Sequence, residues 1–178
     1  NLPFMPIIKN KINNSKSLLK KYDYNFFGDS KKFLLISNRW WDHKNHLIVI
    51  KAFNEIKNSS EKYFDFENSF LVISGSKKGN KDSTKIADNA KNYLKKNDLE
   101  RNVFILDHIP DDFHNLLISK CLGIIQPTLF EGGPGGFCAW EAIGQNKPLA
   151  LSDIEINKEL KDYVQGLIYF NPHAKEQI

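Results

Sequence analysis

The chain has 178 residues, 41% of them hydrophobic and 26% charged, with a net charge of +4. That is ordinary for one soluble globular domain with a core of its own. The positive balance suits an anionic small molecule or an acidic membrane surface, but it is too mild for a dedicated nucleic-acid binder. No run approaches the roughly 18 consecutive apolar residues of a membrane span, and no cleavable signal is visible. Cys121 and Cys138 sit in apolar settings and read as buried thiols in a reducing cytosol rather than as a disulfide.

Residues 1–32 are poor in pattern. NLPFMPIIKN carries Pro3 and Pro6, which oppose regular structure, and reads as a connector between domains. The lysine-rich piece after it (Lys16, Lys20, Lys21, Lys31, Lys32) reads as a solvated short helix and loop, or as a basic patch facing a membrane. The chain opens at Asn1 and closes at Ile178 in what looks like the first turn of another helix, so the expectation is a piece of a longer protein.

From residue 33 to 178 the punctuation is regular. FLLIS (Phe33 to Ser37) predicts a strand, and Asn45 to Asn58 a helix with Leu47, Ile50, Phe53 and Ile56 on one face. FLVISG (Phe70 to Gly75) predicts a second strand. Ser83 to Asn97 predicts a helix with Ile86, Ala90, Tyr93 and Leu94 inward. A strand at Asn102 to Leu106 and a helix at Asp111 to Cys121 follow. Gly123 to Pro127 is an apolar strand, Phe137 to Asn146 a helix, Pro148 to Ser152 a strand, Ile154 to Tyr163 a short helix and Leu167 to Phe170 a last strand.

This is β-α repeated, with strands nearly uninterrupted in apolar character, as when helices cover both faces of a parallel sheet. Right-handed crossovers predict a doubly wound, mostly parallel six-stranded Rossmann-like sheet in the order 3-2-1-4-5-6. The first and fourth strands are then neighbours, and ligands bind in the crevice beyond their carboxyl ends. The loops meeting there are SNRWWDHKNH and TLFEGGPGG.

The first loop offers Arg39, a planar fork, and Lys44, a compact charge, as candidates for a diphosphate. Of Trp40 and Trp41, one is expected in the core and the other on the pocket wall or against a neighbouring domain. His43 and His46 have an H-x-x-H spacing, but no acidic or cysteine ligand lies nearby in sequence, so no metal site is expected. The second loop has Gly132, Gly133, Pro134, Gly135 and Gly136 leading into a helix, an arrangement that lets phosphate approach backbone N–H groups. Glu131 and Glu141 bracket it. Phosphate binding alone has no use for carboxylates, whereas ribose or hexose hydroxyls are natural partners for them.

SNRWWDHKNHLIVIKAF, PTLFEGGPGGFCAWEA and GQNKPLALSDI together resemble the nucleotide-sugar-binding half of family 4 glycosyltransferases of the GT-B fold. The resemblance runs from about Phe33 to the end and touches the LPFMP connector. It implies that Arg39 and Lys44 grip the donor diphosphate and that Glu131 and Glu141 are the two glutamates of the E-x7-E motif. In that family the first lies near the donor sugar, and the second commonly contacts the ribose. Asn38, Gly133, Gly135, Gly136 and Phe137 then belong to the donor site, with Arg39, Lys44 and Glu131 in the catalytic set. This sequence departs from the motif: nine residues, GGPGGFCAW, stand between the glutamates. Thr128 stands where the family often has serine.

The resemblance further implies retaining, metal-independent transfer from a UDP- or GDP-linked donor, with no cofactor. The acceptor is a glycan or lipid-linked molecule held by a separate N-terminal domain. The setting it implies is polysaccharide or glycolipid synthesis in the cytoplasm, at the inner face of the membrane. Two rivals stay open: another GT-B enzyme such as a nucleotide-sugar epimerase or a phosphorylase, and a non-catalytic module that binds nucleotide or a partner.

Overall fold

The computed structural model describes residues 32–59, 65–75 and 81–174. The connector, the lysines before Lys32 and the end of the chain after residue 174 lie outside these. The described residues hold six strands: β1 (Lys32–Ser37), β2 (Ser69–Ser74), β3 (Val103–Leu106), β4 (Gly123–Gln126), β5 (Leu149–Ser152) and β6 (Ile168–Phe170). The helices between them are α1 (His46–Asn58), α2 (Lys81–Lys96), α3 (Asp111–Lys120), α4 (Gly136–Gly144) and the short α5 (Glu155–Lys158), which runs on into a 3-10 turn at Glu159–Asp162.

The sheet order is β3-β2-β1-β4-β5-β6, and every pairing is parallel. This is the expected doubly wound arrangement. β1 and β4 pair through Leu34 with Gly123 and Leu35 with Ile124. The chain order reverses there, which opens the crevice above their carboxyl ends.

The alternation of side chains along each strand divides the core in two. Phe33, Leu35, Phe70 and Val72 face α3 and α4, where Phe113, Leu116, Leu117, Cys138, Ala139 and Ala142 are buried. Ile36, Leu71 and Ile73 face α1 and α2, meeting Val49, Ile50, Phe53, Ala87, Ala90 and Leu94. The buried stripe of α1 differs from the expected one. It runs through Val49, Ile50, Ala52 and Phe53, while Leu47 and Ile56 are only partly covered. A buried helix face is wider than a strict step of three, so the inner residues come in adjacent pairs. Among the described residues no helix is long and apolar enough to cross a membrane.

Candidate functional site

After β1 the chain does not run straight into α1. It makes a 3-10 turn at Asp42–Lys44 and then places Asn45 in the left-handed region at φ 53°. Asparagine tolerates that conformation, and the Asn45 amide donates to the Pro172 carbonyl at 2.8 Å. The turn had no signature in the apolar pattern. Its effect is to swing Lys44 back over the crevice.

The two expected loops do meet. The Leu129 N–H donates to the His43 carbonyl at 2.7 Å, joining the backbone after β4 to the backbone after β1. Lys44 Nζ reaches Glu131 Oε1 at 2.5 Å, with side chains only 11% and 9% exposed. At that depth the pair is little screened, and either member left alone would carry a large desolvation cost.

The glycine loop is held from below. Gly135 has φ +69°, and a Cβ on it would lie 2.5 Å from the Ala139 Cβ, so both its conformation and its packing exclude a side chain. Its N–H donates to Asn157 Oδ1 at 2.8 Å, and its carbonyl accepts from Gln126 Nε2 at 2.9 Å. Asn157 in turn donates to the Ser152 carbonyl at 2.9 Å, and Gln126 also accepts a bond from the Asn38 amide. Gly136 has φ +64°, and a Cβ there would meet the Glu131 carboxylate at 3.2–3.3 Å. Glu131 therefore lies against the first residue of α4 while it binds Lys44.

This corrects one detail of the expectation. The N–H of Gly135 is committed to Asn157, and that of Gly136 points back to the Gly133 carbonyl at 3.4 Å. The carboxylate nearest the start of α4 is the protein's own. Gly132 and Gly133 stand in open space, with no atom near a would-be Cβ. Gln126 and Asn157, which shape the hinge, were missed by sequence reasoning. Both are buried polar residues lying far apart in the chain, and only their burial distinguishes them from exposed amides.

The remaining candidates distribute around this centre. Trp40 is fully buried, the expected core residue, and Trp41 is 39% exposed. Arg39 is exposed, with its guanidinium 5.4 Å from the Trp41 ring centre. His46 is buried and stacks on Trp40 at 4.3 Å between ring centres. Its pKa is lowered to about 4, mainly by burial, with Lys44 adding to the effect and the Asn38 backbone opposing it. His43 packs instead near Trp41, at 5.5 Å, so the two histidines do not form a pair. Phe130 and Phe137 are exposed aromatics at the loop. An open groove of about 700 Å³ adjoins Glu131, lined also by Leu129, Phe130, Ile154, Ile156 and Lys158.

Glu141 sits one and a half turns into α4, in a different environment. Its pKa is raised, first by burial and then by Asp111. Its Oε2 lies 3.9 Å from His114 Nε2. That same nitrogen is 2.8 Å from Ser37 Oγ at the end of β1, and Ser74 Oγ donates to Ser37 Oγ at 3.0 Å. His114 has a lowered pKa, through burial opposed by Asp111. Sequence reasoning missed His114, because one histidine in the first turns of an amphipathic helix carries no signal of its own.

The doubly wound parallel sheet is the α/β, Rossmann-like fold seen in glycosyltransferases of the GT-B class. The chain belongs to the family of group 1 glycosyl transferases, which it matches over residues 21–178. Solved structures of similar fold include a UDP-forming α,α-trehalose-phosphate synthase from Burkholderia xenovorans in complex with glucose-6-phosphate. It is 11% identical with a TM-score of 0.73, and the match covers 92% of this chain and 37% of that one. A sucrose-phosphate synthase from Thermosynechococcus elongatus is 15% identical with a TM-score of 0.69, covering 90% and 37%. The Anabaena protein HepE, in complex with UDP and glucose, is 15% identical with a TM-score of 0.70, covering 92% and 40%. At these identities the likeness is one of fold, and the chain spans well under half the length of those proteins. Comparison with curated protein sequences finds no relative.

Proposed function

We propose that this chain is the donor-binding half of a retaining glycosyltransferase that moves a sugar from a UDP- or GDP-sugar to a glycan or lipid-linked acceptor. The acceptor is held by a further domain. The observation that carries this reading is the junction of the two loops. In a chain of the group 1 glycosyl transferases, a cation from the loop after β1 and a carboxylate from the glycine loop after β4 meet at 2.5 Å.

In this reading Arg39 and Lys44 bind the diphosphate, Glu141 accepts hydrogen bonds from the ribose hydroxyls, and Glu131 lies beside the sugar. As the bond from the anomeric carbon to phosphate oxygen breaks, its electron pair passes to the diphosphate. Arg39 and Lys44 stabilise that growing charge in a partly water-excluded site. The acceptor oxygen forms the new bond on the same face, and its proton leaves with the phosphate or solvent. Arg39 supplies neutralising charge at once and Lys44 does so as it exchanges Glu131 for the diphosphate, so no metal or cofactor is assigned to this step. Work at the cytoplasmic face of a membrane, on polysaccharide or glycolipid, fits the mild positive charge of the chain.

Calorimetric titration with UDP and GDP tests the proposal. Binding of one of them should weaken at least tenfold in Arg39→Ala and in Glu141→Ala. Equal, featureless heats for both nucleotides, unchanged in the variants, would sink it. A second reading, nucleotide binding without transfer, is favoured by one observation: Glu131 is already engaged by Lys44. Sugar transfer by the complete protein with labelled donor, lost in Glu131→Ala, decides against that reading.

A further inference from the structure

The cluster beside Glu141 contains more than a ribose contact requires. His114 projects from α3. Cys138 and Glu141 are three residues apart on α4 and so share one helix face. One donor atom from each, imidazole nitrogen, sulfur and carboxylate oxygen, lies within 4.8 Å of the other two. The thiol is buried, whereas His114 and Glu141 keep 19% and 30% of their side chains exposed. The three thus combine a buried sulfur with an imidazole and a carboxylate that are partly exposed. Ser37 Oγ is hydrogen-bonded to the His114 Nε2 at 2.8 Å, and a metal bond at that nitrogen replaces this hydrogen bond, leaving Ser37 Oγ its bond from Ser74 Oγ.

The geometry points to a zinc site: we propose that His114 Nε2, Cys138 Sγ and a Glu141 oxygen bind Zn²⁺, and that the ion excludes the nucleoside. Nitrogen, sulfur and oxygen donors suit zinc and not magnesium or calcium, which take oxygen alone. Bonds of about 2.0–2.3 Å require the donors of a tetrahedral set to stand roughly 3.3–3.8 Å apart. The present cluster reaches that by closing about 1 Å, within the range of side-chain rotation. On binding, the Cys138 thiol gives its proton to solvent and the thiolate takes the metal. Burial raises the pKa of this thiol, with Glu141 and Cys121 adding to it and hydrogen bonds with Ser37 opposing it. Zinc here acts as an inhibitor, because it occupies the carboxylate that the nucleotide needs. That exclusion rests on the ribose role proposed for Glu141; the metal binding does not.

Titration of the protein with Zn²⁺ alone, and with Co²⁺ followed by absorption, tests the site. The expected result is one ion per chain, with a thiolate-to-cobalt charge-transfer band. The band should vanish in Cys138→Ser and persist in Cys121→Ser. Zinc affinity should fall at least tenfold in both His114→Gln and Cys138→Ser. Absence of stoichiometric binding, or binding that survives both substitutions, overturns the site. The cobalt band in the unaltered protein reports the thiolate ligand even where a variant folds poorly. In the second arm UDP and GDP are titrated with and without saturating Zn²⁺. At least tenfold weaker nucleotide binding, relieved in Cys138→Ser, supports exclusion, and unchanged affinity overturns it. Failure of both nucleotides to bind even without zinc overturns the donor-site reading, and the exclusion with it, while the cobalt band still decides the metal site.

Discussion

The two glutamates that bracket the glycine loop look alike in sequence and sit in opposite electrostatic settings. Glu131 is almost covered, ion-paired with Lys44 and pressed against Gly136. Glu141 is more open, faces only the His114 imidazole at 3.9 Å among the ion pairs of the described residues, and is pushed toward its neutral form. One carboxylate is already saturated by the cation that a diphosphate would use. The other has spare acceptor capacity. The same residue type, ten positions on, is thus an internal counter-ion in one place and a half-open acceptor in the other.

The largest effect should come from breaking the saturated side. Lys44→Met leaves the Glu131 carboxylate buried without its partner and should cost about 3–5 kcal/mol in urea unfolding. The double variant Lys44→Met with Glu131→Gln should recover most of that loss. If the single variant costs under 1 kcal/mol, the pair is not desolvated as described.

Acid should act on the same side through His46. Its folded pKa of about 4 lies below the ordinary 6.5, so the neutral form is favoured by folding. The contribution is complete above pH 6.5 and is lost as pH falls through about 4. The loss should reach about 3 kcal/mol, and His46→Phe should flatten this limb of the stability–pH curve. Glu141 has the opposite sign. Its raised pKa means that stability is greatest with the group protonated and declines as pH rises through the folded value. Glu141→Gln should therefore raise Tm slightly at neutral pH and not at acid pH.

In binding, Glu141→Gln should weaken UDP or GDP by about 10- to 100-fold, the worth of hydrogen bonds to a charged group. The smallest expected effect is a gain. Glu131→Gln frees Lys44 and removes a negative charge from the start of α4, so nucleotide affinity should rise about tenfold, roughly 1.4 kcal/mol. Calorimetry would show it. Weaker binding in that variant would mean that Glu131 assists the nucleotide rather than competing with it.

Much of this was legible in the chain itself. Strands such as FLVIS are apolar on both faces, and that pattern suffices for a parallel sheet with helices on each side. The handedness of crossovers then gave the strand order, which the structure reproduces. From the order came the meeting of Lys44 with the glycine loop. What was not legible depends on contacts between residues remote in sequence. Asn157 reaches Gly135 across 22 positions, and Ser37 reaches His114 across 77. Neither pair has a local pattern, because a side-chain hydrogen bond imposes no periodicity on the sequence between its ends.

By itself, then, the sequence determined the periodicities, the glycines where the backbone needs left-handed torsions, and the identity of the charged groups, because these depend on local sterics and on alternation. Only the tertiary structure decided which carboxylate meets the cation, which glycine N–H is already taken, and that a histidine, a cysteine and a glutamate share one cluster. Those outcomes are set by burial and by distances between separate elements, and electrostatic energy in a desolvated crevice changes steeply with both.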